Sequence, residues 1–309
     1  MSFRHFGDSL VVRCSVSCAF VLLSQFGLAA VPLFVSASSL IEHVALSGAV
    51  LAGAFGIGRW CKRLLGMKAS APASVILHLM FVWGVYMGVT REAVSLLMDV
   101  VLNLELALII FWMWRIMRSD PGWVAHDSIS LRNLESETYA ATIIVKGEFE
   151  DIVESRRIRH CKSCKAYVRG YDHHCPAFGN CIGQKNHLLF LVLLIGFITA
   201  EGSYAACCYQ YIITTPIKEK IGIEMGLSGR LAISTMTFCL FQVIWQVLFL
   251  AWHMYCICNN IKTDEWVNWT KYPEFHRGPQ PLPDQLGVRF HNPYNKGVLG
   301  NLKEFCNYG

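Results

Sequence analysis

The sequence predicts an α-helical polytopic membrane protein with about six transmembrane helices and a small cytosolic cysteine-rich domain. Hydrophobic residues make up 54% of the 309 residues and charged residues only 16%, and the mean hydropathy is +0.39. That composition lies well outside the soluble range. Apolar runs close to the ~20 residues that cross a bilayer recur at about 14–36, 40–58, 71–90, 95–117, 188–212 and 231–257. The 13 cysteines are spread through these runs and one compact cluster, a reducing, cytosol-facing pattern rather than a secreted disulfide framework. The net charge of +5 sits in short loops rather than on one basic face, which argues against a nucleic-acid partner.

Each span carries its own signals. The first is longer than the roughly 7–15 apolar residues of a secretory signal, so it reads as a span although Ser36-Ala37-Ser38 resembles a cleavage site. The second begins beside Glu42 and His43, placed at the interface where they reach water. Its Gly48, Ala52 and Gly56 form a small-residue face that lets another helix approach. The fourth contains Asp99, Asn103 and Glu105, for which a polar cavity and a neutral, hydrogen-bonded structural acid both remain open.

Orientation follows from the basic residues. Arg4 and Arg13 precede the first span, Arg59, Lys62, Arg63 and Lys68 follow the second, and Arg115 and Arg118 close the fourth. The positive-inside rule puts all of these, and both termini, in the cytosol. Loops 37–39, 91–94 and 213–229 then lie on the far side. The resulting division is 1–117 (four spans), 118–187 (cytosolic cysteine-rich domain), 188–257 (two spans) and 258–309 (cytosolic tail). Pro273, Pro279, Pro281, Pro283 and Pro293 make much of that tail irregular.

The chemistry is concentrated in the cytosolic segment. Cys161, Cys164, His174 and Cys181 form a Cys-x2-Cys-x9-His-x6-Cys array, three soft thiolates and an imidazole, the donor set of one structural, tetrahedral zinc. If zinc takes those four, His173 and Cys175 are left free within Asp172-His173-His174-Cys175. A free thiol is mostly protonated at neutral pH. His173 has the chemistry to accept the Cys175 proton, and Asp172 to hold the imidazole in the required tautomer. Spacing alone does not establish that triad.

These motifs, continued by Asn180-Cys181-Ile182-Gly183, Asn186 and Phe190, resemble the DHHC family of protein S-acyltransferases (palmitoyltransferases). Asp120-Pro121-Gly122 after the fourth span is similar to the family's DPG motif. Thr263 and Glu265 after the sixth match the end of its Thr-Thr-x-Glu motif, with Lys262 in place of the first Thr. Asn292-Pro293-Tyr294, Gly297, Asn301 and Phe305 resemble its C-terminal motif, which is expected to dock back on the membrane domain. The resemblance covers about residues 95–305. It implies a two-step acyl transfer in which Cys175 takes a long-chain acyl group from acyl-CoA and passes it to cysteine thiols of substrate proteins. His173 would be the general base and Asp172 its orienting partner. Basic residues would meet the CoA phosphates, and the acyl chain would stay among the spans in contact with membrane lipid. The expected location is an endomembrane (Golgi or ER) or the plasma membrane.

The chain also departs from the pattern. Of the family's other zinc site only His160 survives; the upstream cysteine positions fall at Gly147 and Glu150, and a third at Tyr167. One zinc is therefore expected, and other packing must replace the order that a second supplies. Ser155 replaces the usual Pro, while Arg157 keeps the family's basic position. Pairing of Glu148, Glu150, Asp151 and Glu154 with Arg156, Arg157 and Arg159 is one substitute, at roughly 0–1 kcal/mol per surface pair. Ala177 stands where the family commonly has Trp. These losses motivate an alternative, a zinc-stabilised membrane adaptor of the same fold with weak catalysis. Cys14, Cys18, Cys207, Cys208 and Cys239 are expected to pack as small apolar groups, and Cys61, Cys256 and Cys258 lie near the cytosolic interface, where thiols can be acylated.

Overall fold

The computed structural model describes residues 9–34, 40–64, 66, 69–125, 157–214, 226–277 and 289–308. Arg4, Ser36-Ala37-Ser38, Lys68, residues 147–156 with their acids, most of the 213–229 loop, and Pro279, Pro281 and Pro283 lie outside the described residues.

Among the described residues, six helices are long and apolar enough to cross a membrane: Leu10–Leu33, Ile41–Leu64, Ala71–Ala93, Leu96–Arg118, His187–Thr214 and Leu227–Cys258. All six expected spans are present, most of them longer than their apolar runs because helical hydrogen bonding continues into polar flanks. We label the helices α1 (Leu10–Ala30), α2 (Leu40–Leu64), α3 (Ala71–Val85), α4 (Leu96–Arg118), α5 (His187–Thr214) and α6 (Leu227–Cys258). The chain divides into two compact units, one comprising residues 1–110 and 196–247, the other 111–195 and 248–309.

In the first unit α1 packs against α2 and α3. Ser70 caps α3 by accepting from the Ala73 N–H, and it exchanges hydrogen bonds with Ser17 of α1, the Ser17 hydroxyl donating to the Ser70 carbonyl at 2.9 Å. A π-helical turn at Tyr86–Thr90 follows α3. The Tyr86 hydroxyl donates to Asp99 at 2.8 Å, and Arg91 and Asn103 donate to the same carboxylate. The Ser203 hydroxyl donates to Glu105. Asp99 is thus hydrogen-bonded and paired with Arg91 at 2.9 Å, a charged structural acid rather than the neutral one that was one of the two readings. Cys207, Cys208 and Cys239 are buried with Tyr86, Leu102 and Tyr204, as small apolar groups should be. The small-residue face is used only in part: a Cβ on Gly48 would meet Phe241 at 4.0 Å, whereas one on Gly56 would meet nothing within 4 Å.

In the second unit two β-hairpins follow one another. Strands β1 (Trp123–Val124), β2 (Ile158–Cys161) and β3 (Ala166–Arg169) form an antiparallel sheet in the order β1-β3-β2. Strands β4 (His173–Cys175) and β5 (Asn180–Ile182) form the second hairpin, with His174 opposite Cys181. Close approach fixes the joint between them, because a Cβ on Gly183 would collide with the Pro121 carbonyl oxygen and Val168. Two motif residues lock α4 to this region. Asp120 accepts from the Gly122 and Trp123 N–H groups, and the Asn180 amide donates to the Ile116 and Ser119 carbonyls at the end of α4.

The tail adds α7 (Thr263–Asn268), the short pair β6 (His276–Arg277) and β7 (Arg289–Phe290), and α8 (Val298–Tyr308). Its motif residues engage the end of α6: Asn301 donates to the Cys258 carbonyl and Asn292 to the Asn259 carbonyl. Arg157 is buried. It pairs with Glu265 at 2.6 Å, donates to Asn260, and lies under the Tyr294 ring with its guanidinium carbon 4.2 Å from the centroid. Arg159 pairs with Glu274 and stacks on Tyr272. Both arginines thus pair with tail acids, Arg157 through two nitrogens; the upstream acids that adjacency in sequence suggested lie outside the described residues. His160 packs edge-on against Tyr167 across the hairpin at 5.0 Å. Aromatic packing thus occupies two of the four positions weighed for a second metal site; Gly147 and Glu150 lie outside the described residues.

Candidate active site

The two hairpins sort the Asp-His-His-Cys residues by the alternation of a strand. Successive side chains point to opposite faces, so His174 turns to one side of β4 and His173 and Cys175 to the other. A tight turn between Cys161 and Cys164, closed by Lys165 at φ 55°, presents those two sulfurs to the first side. Cys161, Cys164, His174 and Cys181 bring their donor atoms within 4.8 Å of one another. Cys164 Sγ is 3.4 Å from His174 Nδ1 and 3.5 Å from Cys181 Sγ, and Cys181 Sγ is 3.8 Å from His174 Nδ1. A tetrahedral zinc with bonds of roughly 2.0–2.3 Å holds its ligands about 3.5–3.8 Å apart. Burial and the neighbouring Cys161 and Cys164 sulfurs push the Cys181 thiol far above its usual range. Three sulfurs this close ionise together only around a cation. The cluster therefore has the donor set and spacing to hold a metal ion.

On the other side, Asp172 is fully buried and gripped from several directions. Its Oδ1 accepts the Thr263 N–H at 2.9 Å, its carbonyl accepts the Asp264 N–H, and its Oδ2 lies 2.7 Å from His173 Nδ1. Burial alone would raise the Asp172 pKa, but the imidazoles of His187 and His173 and the His173 hydrogen bond hold it well below the usual carboxylate range. With Nδ1 donating to a carboxylate, Nε2 of His173 is left for the thiol of Cys175, which is near enough to raise the His173 pKa. Burial opposes a charged His173, yet the Asp172 and Cys175 contacts outweigh it and raise its pKa to about 9. The imidazole consequently keeps a proton at neutral pH, as a base does after taking one from a thiol. Phe190 and Phe249 set the ring edge-on at 5.4 and 6.3 Å. Phe178 is buried against Phe190 one residue after Ala177, so an aromatic group fills space near the position of the missing indole.

All seven residues singled out from the sequence thus fall in two adjoining groups, the metal-capable four and the Asp172-His173-Cys175 three. His253 and His187 were not among them. His253 is fully buried with Nδ1 4.0 Å from Asp172 Oδ2, and His187 Nε2 lies 3.4 Å from His253 Nδ1. For His253 the available signal was an ionisable residue inside an apolar span, which marks a functional site by default; His187, the first residue of α5, carried no such signal. Asp172, His173 and His253 also meet closely enough to be metal ligands, but a carboxylate–imidazole hydrogen bond already joins two of them.

Six apolar helices with a Cys/His cluster and a carboxylate–imidazole–thiol array define a polytopic membrane protein with a cysteine-rich domain. Residues 148–270 match the family model of the DHHC palmitoyltransferases. The chain is 26% identical over 186 residues to palmitoyltransferase AKR1 of Mortierella alpina, covering 53% of this chain and 32% of that protein. It is 27% identical over 161 residues to palmitoyltransferase ZDHHC17 of Danio rerio, covering 48% and 24%, and 30% identical over 112 residues to palmitoyltransferase ZDHHC18 of Homo sapiens, covering 35% and 28%. In each case the match spans a third or less of the relative's length.

Proposed function

We propose that this protein is a protein S-acyltransferase that carries a long-chain acyl group on Cys175. The observation that supports this most is the hydrogen-bonded chain from the Thr263 N–H to Asp172 and from Asp172 to His173, with His173 on the same face of its strand as Cys175. In the first half-reaction His173 takes the Cys175 proton, the Cys175 sulfur attacks the acyl-CoA carbonyl carbon, the carbon–sulfur bond to CoA breaks, and CoA leaves as the thiol after taking that proton from His173, so the imidazole is neutral again. In the second, a cysteine thiol of a substrate protein gives its proton to His173 and attacks the acyl-Cys175 thioester. Cys175 is released. One thioester replaces another in each step, so the protein need only position the reactants and move a proton.

The metal is assigned as one zinc on Cys161, Cys164, His174 and Cys181. Its role here is structural: it fixes His174 and Cys181 across the β4–β5 pair and thereby the strand that bears His173 and Cys175. We expect metal analysis to return one zinc per chain, falling in Cys181→Ser together with thermal stability; two zinc ions per chain would show a second site. The basic loops support a cytosol-facing site in an endomembrane or the plasma membrane, with the acyl chain held in the lipid phase. Nothing in the site favours the adaptor alternative, since Asp172 and His173 are hydrogen-bonded beside Cys175. The test is incubation of the purified protein with labelled palmitoyl-CoA and a cysteine-containing acceptor protein. Thioester label on the acceptor with wild type, and none with Cys175→Ser, is the expected result; no label with either, from folded protein, rejects the enzyme reading.

A further inference from the structure

Two imidazoles converge on one oxygen of Asp172, and the acyl-transfer chemistry uses only one of them. His173 Nδ1 lies 2.7 Å from Asp172 Oδ2, and His253 Nδ1 lies 4.0 Å from the same oxygen. His253 sits within α6 and is fully buried. Its ring is fixed by the two phenylalanines that also border His173: Phe249 stands edge-on at 4.5 Å and Phe190 at 5.0 Å. The centroids of the two imidazoles are 5.7 Å apart. A third imidazole joins them, since His187 Nε2 lies 3.4 Å from His253 Nδ1. Among the described residues His253 Nε2 has no hydrogen-bond partner, so the ring acts on polar neighbours through Nδ1.

We propose that His253 is a positioning residue of the acyl transfer, its Nδ1–H holding the Asp172 carboxylate in place for His173; this rests on the S-acyltransferase reading. The tautomer follows from charge. A lone pair on Nδ1 would face a buried carboxylate, whereas an N–H there faces both that oxygen and the lone pair of His187 Nε2. A carboxylate removed from water depends on the dipoles aimed at it. At 4.0 Å the His253 N–H is beyond a full hydrogen bond. It acts instead as an oriented dipole beside a charge, an attraction that is strong where water is excluded. The arrangement also has a direction. Asp172 Oδ1 is tied to the Thr263 N–H, and the His253 N–H lies on the Oδ2 side, which favours the rotamer that presents Oδ2 to His173.

Single-turnover self-acylation of the full chain in neutral detergent, with labelled palmitoyl-CoA over a range of concentrations, tests the role. We expect His253→Leu to lower the saturating rate by about tenfold, a little under the worth of a full hydrogen bond to a charged group, with the half-saturating concentration unchanged. His253→Asn, whose amide N–H can take the place of Nδ1–H, should restore most of the rate. His253→Gln carries that group one bond further out and should not. Added to Asp172→Asn, His253→Leu should cost nothing more, because residues that act through one carboxylate are not additive. A second readout needs no turnover: the downfield ring N–H proton of the His173–Asp172 hydrogen bond, identified by its loss in His173→Gln, should shift in His253→Leu and hold its position in His253→Asn. If His253→Leu does not fold, the Asn and Gln variants decide by the same two readouts. An unchanged rate in His253→Leu, equal losses in Asn and Gln, an additive loss with Asp172→Asn, or a raised half-saturating concentration at an unchanged rate overturns the proposal and leaves the ring as packing. Wild type that takes no label rejects the enzyme reading; the proton signal then decides whether His253 holds Asp172, a shift in His253→Leu supporting it and a fixed signal overturning it.

Discussion

Asp172→Asn is expected to slow self-acylation by about 10²–10⁴-fold, the range spanned by general acid–base catalysis, while leaving the metal content unchanged. The reason is the count of acceptors. Asp172 receives the Thr263 N–H on one oxygen and the His173 Nδ1–H on the other. An asparagine has one oxygen and one NH2, so one of those two donors loses its acceptor. If the amide group faces His173, the ring must present a bare Nδ1 and carry its proton on Nε2, toward the thiol, where it can no longer accept one. If instead it faces Thr263, a buried backbone N–H is stranded. Single-turnover label incorporation measures the rate, and unchanged kinetics would remove Asp172 from the mechanism.

The second large effect is on stability. Among the described residues, Arg157→Met leaves Glu265 buried with the Lys262 N–H as its remaining hydrogen-bond partner and the Lys262 charge nearby, and breaking a buried pair of this kind costs about 3–5 kcal/mol. A lower thermal midpoint should follow, and Arg157→Met combined with Glu265→Met should recover much of it, since removing both charges leaves neither one stranded. The pH dependence has a definite sign. Glu265, which burial would raise, is held below its ordinary value of 4.5 by Arg157. Its contribution is therefore present above pH 4.5 and lost as pH falls through the depressed value. Arg157→Met should flatten that acid limb. An equal loss of stability in single and double variants would show that packing of the guanidinium on Tyr294, rather than the ion pair, is what matters.

The spans and the metal-capable four were legible because each depends on local or short-range pattern. A run of apolar residues needs no knowledge of its neighbours, and the spacing of Cys161, Cys164, His174 and Cys181 falls within two consecutive hairpins. The division of labour within Asp172–Cys175 was legible only by assigning ligands first; the structure supplies the cause, strand alternation, which the short β4 strand does not announce in sequence. What was illegible is long-range. Arg157 meets Glu265 over 108 positions and Thr263 meets Asp172 over 91, and no periodicity connects them. The motif residues near 263 and 292–305 were recognisable by resemblance, but their work as a clamp on Arg157 and Asp172 was not. His253 was hidden for a different reason, since one imidazole in a long apolar helix reads as a tolerated exception until its neighbours are known.

The central claim is that the acyl group resides on Cys175 and on no other of the 13 cysteines during turnover. Rapid quench of the purified protein with palmitoyl-CoA, followed by peptide mapping by mass spectrometry with and without neutral hydroxylamine, tests it directly. The account predicts a hydroxylamine-sensitive acyl group on the peptide containing Cys175, formed within one turnover and discharged when an acceptor thiol is added. An acyl group found first on Cys61, Cys258 or another thiol, with Cys175 unmodified and that signal persisting in Cys175→Ser, would contradict it.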